Sequence, residues 1–216
     1  MNRIVKQILS KTVFYRLYQM HRTWDWRRKG MKGPPPHLVK VQTVMRYARN
    51  KGIRLFVETG TYWGDMIQAV RGLFDEMWSI EVAHDLCVKA VKRFRSDPRI
   101  HIVEGDSAVV LPCVLRSISA PCVFWLDGHY SGGNTGRGVE DSPIKEELKH
   151  ILGHHIRDHV ILVDDARCFL GRDGYPTIEE LTKQVQACRP EWIVSVVEDI
   201  IRIHSENVTE HVRLET

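Results

Sequence analysis

Beyond residue 52 the chain alternates short apolar runs with segments of helical spacing, and each of the first five runs leads into a glycine or a carboxylate. The runs cover residues 55–57, 77–82, 100–103, 122–126 and 159–163. Runs this short and this apolar fit strands buried in an α/β sheet. Ligands in such sheets bind beyond the carboxyl ends of the strands, which is where the polar residues fall.

The first run leads into Glu58-Thr59-Gly60-Thr61-Tyr62-Trp63-Gly64, after which Met66, Ile67, Val70 and Leu73 return to helical spacing. Gly60 permits a turn that a side chain would obstruct, and Gly64 lets the helix start close to the strand. A dinucleotide fingerprint needs glycine where this chain has Tyr62, and the rings of Tyr62 and Trp63 would crowd a pyrophosphate. NAD is therefore disfavoured, and no Walker phosphate loop occurs. Taken alone, two spaced glycines also fit an ordinary tight connection.

Glu81 closes the second run about 20 residues after the first glycine, where α/β nucleoside sites place the carboxylate that accepts ribose hydroxyls. The third run leads to Gly105-Asp106-Ser107, which can reach an adenine amino group or simply cap the next helix. The fourth and fifth lead to Asp127-Gly128-His129-Tyr130 and Asp164-Asp165. Three carboxylates in one crevice repel one another unless a cation or proton intervenes, and a hard divalent metal is the simplest candidate.

This ordered set resembles class I S-adenosylmethionine-dependent methyltransferases, and within them the metal-dependent O-methyltransferases of the macrocin and catechol types, over residues 53–204. The resemblance implies a Rossmann-like three-layer α/β sandwich with a mostly parallel seven-stranded sheet and an antiparallel last strand. It implies S-adenosylmethionine held by Glu58, Gly60, Thr61 and Gly64 at its methionine end, by Glu81 at the ribose, and by Asp106 and Ser107 near the adenine. It further implies magnesium, or manganese, on Asp127, Asp164 and Asp165.

Methyl transfer from a sulfonium needs the acceptor oxygen in line with the breaking bond, and a metal stabilises that oxygen when it is deprotonated. Asp127 and His129 are the expected catalytic residues. His129 is nominated as general base because imidazole titrates near neutrality, the alternative being a histidine that merely hydrogen-bonds a carboxylate. The expected acceptor is a hydroxyl on a sugar or other small polar metabolite, so the partner is a small molecule or glycan. Two other readings use the same residues: a metal-dependent phosphoester hydrolase or other group-transfer enzyme, and a non-catalytic membrane- or RNA-binding member. A glycine-rich stretch, residues 131–138, is expected to form a loop over the crevice, with Arg137 available to an anionic acceptor.

The composition, 43% hydrophobic and 27% charged over 216 residues, is that of a globular protein. Five scattered cysteines without a C-x-x-C pair argue for a reducing, cytoplasmic setting and against a zinc ribbon. His150, His154, His155 and His159 include two i, i+4 pairs, but Gly153 and the following strand interrupt the helix that zinc would need, so they read as exposed histidines near a helix end.

A helical apolar stripe through Leu38, Val41, Val44, Met45 and Ala48 predicts a helix packed on the sheet. Ser142 is expected to cap a helix with Pro143 in its first position and Gly153 at its end, and Thr177 to cap another. Residues 192–197 and 200–203 predict a closing β-hairpin.

Residues 1–36 read as a basic helical segment with a joint at Pro34-Pro35-Pro36, and residues 37–216 as the catalytic domain. Residues 1–32 carry nine Lys or Arg against Asp25 alone, a formal charge of +8. A packing or homodimer-forming helix is the first expectation for this stretch, because Lys6 and Arg16 fall on the sector of its apolar residues; interleaved Phe14, Tyr15, Tyr18, Trp24 and Trp26 also suit peripheral contact with an anionic membrane at its inner face, and nucleic acid is disfavoured. No apolar run is long enough to span a bilayer, and no signal-peptide core is present.

Overall fold

The computed structural model describes residues 13–127 and 142–205. Its elements are α1 (Val13–Arg28), α2 (His37–Lys51), β1 (Leu55–Thr59), α3 (Asp65–Val70), β2 (Glu76–Glu81), α4 (His84–Phe94), β3 (Ile100–Glu104), α5 (Ser107–Leu115), β4 (Cys122–Leu126), α6 (Ile144–Gly153), β5 (Val160–Val163), α7 (Ile178–Cys188), β6 (Trp192–Val197) and β7 (Ile200–Ser205). The strands form one sheet in the order β3-β2-β1-β4-β5-β7-β6. β1 pairs parallel with β2 and β4, β2 with β3, and β4 with β5, whereas β7 runs antiparallel to β5 and β6. The chain builds outward from β1 to β3, then returns to start β4 on the other side of β1. That reversal opens a crevice at the carboxyl ends of β1 and β4.

The apolar runs are continuous because both sheet faces are covered. Along β4, Cys122, Phe124 and Leu126 join a core with Leu111 of α5, Leu148 of α6 and Leu181 of α7, while Val123 and Trp125 face Val44 of α2, Ile67 of α3 and Phe94 of α4. Strand alternation thus feeds two cores from one segment, and each fully buried aliphatic or aromatic side chain contributes roughly 1.5–3 kcal/mol.

Local chemistry sets the element ends. Thr177 accepts from the Glu180 amide at 3.1 Å while Glu180 accepts from the Thr177 amide at 2.8 Å, a reciprocal cap that starts α7 as its sequence indicates. Between β6 and β7, Glu198 and Asp199 both adopt positive φ (56° and 62°), the two-residue turn whose twist matches that of a hairpin.

The start of α6 differs from expectation. The Glu147 amide donates to the Pro143 carbonyl at 3.0 Å, so Pro143 is the flanking residue and the helix begins at Ile144. Ser142 does not cap; it is buried in a crevice with Asp164 and Tyr175. Gly153 is the last residue of the helix, and His154 beyond it turns to extended backbone.

α1 packs on α2 across the Pro34–Pro36 joint. Its C-terminal end is tied to the β6–β7 turn by Arg27, which pairs with Glu198 at 3.1 Å, and to the joint by the Trp26 indole, which donates to the Gly33 carbonyl at 3.3 Å. Among the described residues, no helix is long and apolar enough to cross a membrane.

Candidate functional site

Backbone hydrogen bonds bring the carboxyl ends of the strands together. The Asp127 amide donates to the Thr59 carbonyl at 3.1 Å, the Asp164 amide to Leu126 at 3.0 Å, and the Gly60 and Thr61 amides both to Ile80. Strand register alone therefore carries the glycine loop, Glu81, Asp127 and Asp164 to one edge.

Three residues of the glycine loop have positive φ: Gly60 (84°), Tyr62 (49°) and Gly64 (71°). The loop wraps the Glu81 carboxylate, which accepts from the Tyr62 amide at 2.7 Å and the Ala83 amide at 2.9 Å. Each carboxylate oxygen has two acceptor positions, so Glu81 keeps one on each oxygen for further donors. Gly64 is fixed by packing as well as by φ, since a Cβ there would lie 2.5 Å from the Phe94 ring. Arg93 adds a clasp, bonding both the Trp63 carbonyl and Asp65.

Beneath the loop, Glu58 and Ser79 are register neighbours on β1 and β2, and the Ser79 hydroxyl donates to Glu58 at 2.7 Å. Thr61 Oγ1 lies 2.6 Å from Ser79 Oγ. Glu58 is buried, and burial holds its carboxyl well above the usual range; Asp127, Glu81 and Asp65 push the same way against the Ser79 hydrogen bond. Burial thus favours the neutral form of Glu58, and an approaching cation favours the ionised one. At the far end of the crevice Asp106 accepts from the Ala108 amide at 3.0 Å, which makes it the cap of α5, with Ser107 buried beside it.

Asp127, Asp164 and Asp165 offer carboxylate oxygens that all lie within 4.8 Å of one another. Two cationic side chains reach this cluster: Lys40 of α2 is hydrogen-bonded to Asp164, and Arg167 to Asp165 at 2.7 Å and to Asp199. Burial favours the neutral amine of Lys40, but Asp164, Asp127 and Asp165 outweigh it and hold the ammonium above its usual range. On Asp164 burial raises the carboxyl's pKa and Asp165 adds to that, with Lys40 opposing. The repulsion that calls for a cation is thus met in part by the chain itself.

The structure therefore gathers Glu58, Gly60, Thr61, Gly64 and Glu81 in one loop system, and Asp127, Asp164 and Asp165 in one cluster. His129, Tyr130, Arg137 and the glycine-rich stretch lie outside the described residues. Lys40 and Arg167 are additions. Lys40 precedes Val44 by one helical turn, so a charge on the buried side of α2 was the available signal; Arg167 stands two residues after Asp165, which was the signal for that pair, whereas its second partner, Asp199, is 32 residues away.

The histidines differ from their sequence reading. His159 is buried rather than exposed, accepting from the Cys122 amide at 3.1 Å and lying 2.9 Å from His154, whose other nitrogen meets the Leu115 carbonyl at 3.1 Å. This chain of hydrogen bonds stitches the amino ends of β4 and β5 to α5, away from the crevice.

No family description and no curated protein sequence matches the chain. Solved structures do. The chain is similar to SAH-bound methyltransferase PaMTH1 of Podospora anserina (TM-score 0.53, 14% identity, covering 87% of this chain and 88% of that one). It is equally similar to the SAM complex of the O-methyltransferase TomG of Streptomyces achromogenes, involved in tomaymycin synthesis (TM-score 0.53, 15% identity, 87% and 88% covered). The chain has the class I methyltransferase fold. The SAH complex of the N-methyltransferase NodS of Bradyrhizobium japonicum matches as well (TM-score 0.51, 13% identity, 86% and 99% covered). Within this methyltransferase fold the antiparallel β7, inserted between β5 and β6, is the expected closing feature.

Proposed function

We propose that the protein transfers a methyl group from S-adenosylmethionine to a hydroxyl oxygen of a sugar or another small polar metabolite. The observation that carries the reading is the meeting, at one sheet edge, of the glycine loop wrapped on Glu81 with the cluster of Asp127, Asp164 and Asp165. The loop fits the cofactor: Glu81 retains acceptor positions for two ribose hydroxyls, and Gly60 takes the positive φ that turns the backbone at the strand end. Glu58, Thr61 and Gly64 hold the methionine end, and Asp106 and Ser107 stand at the adenine. The positive cofactor draws Glu58 toward its ionised form, which stabilises the complex.

In the reaction the acceptor oxygen attacks the sulfonium methyl carbon in line. The carbon–sulfur bond breaks, its electrons stay on sulfur, S-adenosylhomocysteine leaves, and the hydroxyl proton passes to a base. His129, two residues after Asp127 in the sequence, is the proposed base. Lys40, its pKa raised by the acids around it, favours the oxyanion formed when the hydroxyl loses its proton and does not act as the base.

Three carboxylate oxygens in close reach also suit a hard divalent ion, magnesium or manganese, on Asp127, Asp164 and Asp165. When bound, such an ion would polarise a hydroxyl and lower its pKa. Lys40 occupies Asp164, so the ammonium and the metal compete for one place.

Calorimetric titration with S-adenosylmethionine and S-adenosylhomocysteine, with magnesium and then with chelator, tests the reading. Micromolar binding of both supports it. No binding in either condition sinks it and favours the hydrolase alternative.

A further inference from the structure

The amphipathicity of α1 is inverted with respect to the protein. Its inner face buries Gln19 and Thr23 together with Trp26, whereas Phe14 (79% exposed), Leu17 (55%), Met20 (59%) and Trp24 (56%) face outward. On a helical wheel these four fall within one sector of about 120°, opposite the buried set. A surface helix normally does the reverse, so the outward face is built to be covered.

Charge decides what covers it. The sequence of residues 1–32 carries +8, and arginines stand beside the exposed rings: Arg28 lies 5.3 Å from the Trp24 ring centroid and Arg22 6.0 Å from that of Tyr18. A second copy would bring two +8 segments together, which like-charge repulsion opposes. An anionic lipid surface attracts them and accepts Trp, Tyr and Leu at the headgroup boundary, with arginine stems reaching out to the phosphates.

We infer that α1 docks this protein on an anionic bilayer, lying in the interface with Phe14, Leu17, Met20 and Trp24 inserted and Arg22 and Arg28 on the headgroups. The helix is held to the body by its packing on α2 and by Arg27 on Glu198, so docking needs no unfolding of the catalytic sheet.

Flotation of the full chain with vesicles tests this. The protein should float with vesicles of phosphatidylcholine mixed with phosphatidylglycerol, not with phosphatidylcholine alone, and added salt should release it. The double variant Leu17→Ser/Trp24→Ser should lower partitioning by more than about tenfold at an unchanged melting temperature. Val109→Ser, which removes an exposed apolar side chain elsewhere, should change nothing. Arg22→Gln/Arg28→Gln, which leaves the packed face of α1 untouched, should lose the preference for anionic vesicles. The inference is overturned by equal binding to neutral vesicles, by no flotation, or by wild-type partitioning of either double variant. It is overturned too by RNA binding without vesicle binding, or by a wild-type dimer that Leu17→Ser/Trp24→Ser turns into a monomer.

Discussion

The ammonium of Lys40, from the helix that precedes the first strand, is hydrogen-bonded to the buried carboxylate of Asp164 at the end of the fifth. The bond joins groups 124 residues apart and places among three acids an amine whose pKa those acids raise. Removing it leaves acids that can be relieved only by protons or by another cation. Lys40→Met should therefore lower stability by about 2–4 kcal/mol, the loss expected for breaking a largely buried pair. Magnesium or manganese should restore part of that loss and bind the variant at least about tenfold more tightly than the wild type. Urea melts with and without metal, together with metal calorimetry, read both effects; identical behaviour of variant and wild type would dismiss the competition.

The two halves of the crevice should separate by mutation. Glu81→Gln should weaken S-adenosylhomocysteine binding by about tenfold or more and leave metal binding intact, because charged acceptors contribute about 1.5–3 kcal/mol. Asp164→Asn should do the opposite. Equal loss of both ligands in both variants would point to general misfolding.

Glu58 makes cofactor affinity depend on pH. Burial raises its carboxyl's pKa well above the usual range, and a cationic ligand favours the ionised form, so binding S-adenosylmethionine releases a proton at any pH where the free site still holds one. Affinity should rise as pH increases toward the raised pKa of Glu58 and level off above it. Glu58→Gln should flatten that profile. A wild-type profile without slope, measured by calorimetry in buffers of different ionisation enthalpy, would count against the assignment.

His159 has the opposite consequence, for stability. Burial, helped by His154, lowers its pKa from 6.5 to about 3, so the folded protein keeps it neutral where the unfolded chain would protonate it. Its contribution is fully present above pH 6.5 and is lost as pH falls from there toward about 3. The slope reaches about 1.4 kcal/mol per pH unit. His159→Leu should be less stable at neutral pH and show a shallower decline between pH 6.5 and about 5, a window above the main carboxylate titrations. Parallel curves for the two proteins in thermal melts would remove His159 as the cause.

Gly64→Val should be costly for two independent reasons, its φ of 71° and the Phe94 ring against any Cβ. A loss of about 2–4 kcal/mol with weakened cofactor binding is expected. Gly72, with open space around it, is the control: Gly72→Ala should melt within about 0.5 kcal/mol of the wild type.

Much of this architecture was legible because it is local. Five apolar runs became β1 to β5 with shifts of a residue or two, the Thr177 cap formed, and residues 192–203 closed as a hairpin. The same holds for the site residues that sit at strand ends, since register alone brings Glu58, Glu81, Asp127 and Asp164 together. Where reading failed, tertiary context decided. Ser142 lost its capping role to burial in the crevice beside Asp164 and Tyr175, His159 became a buried hydrogen-bonding link, and Lys40 found Asp164 and Arg167 found Asp199 across sequence separations that no spacing rule spans.

The turn at Glu198 and Asp199 deserves a different measure from most hairpin tips. Glu198 receives Arg27 and Arg202, while Asp199 receives Arg167, which also holds Asp165. Surface turns usually tolerate added residues. Here one extra residue would break the paired left-handed conformation and move both acids off their partners together. The tip fastens α1 and the segment after β5 to one hairpin, and tags or domain insertions that other loops accept would loosen α1 and the acid pair at once. A glycine inserted between the two residues would reveal this as a lower melting temperature accompanied by altered metal binding; unchanged values for both would make the tip an ordinary turn.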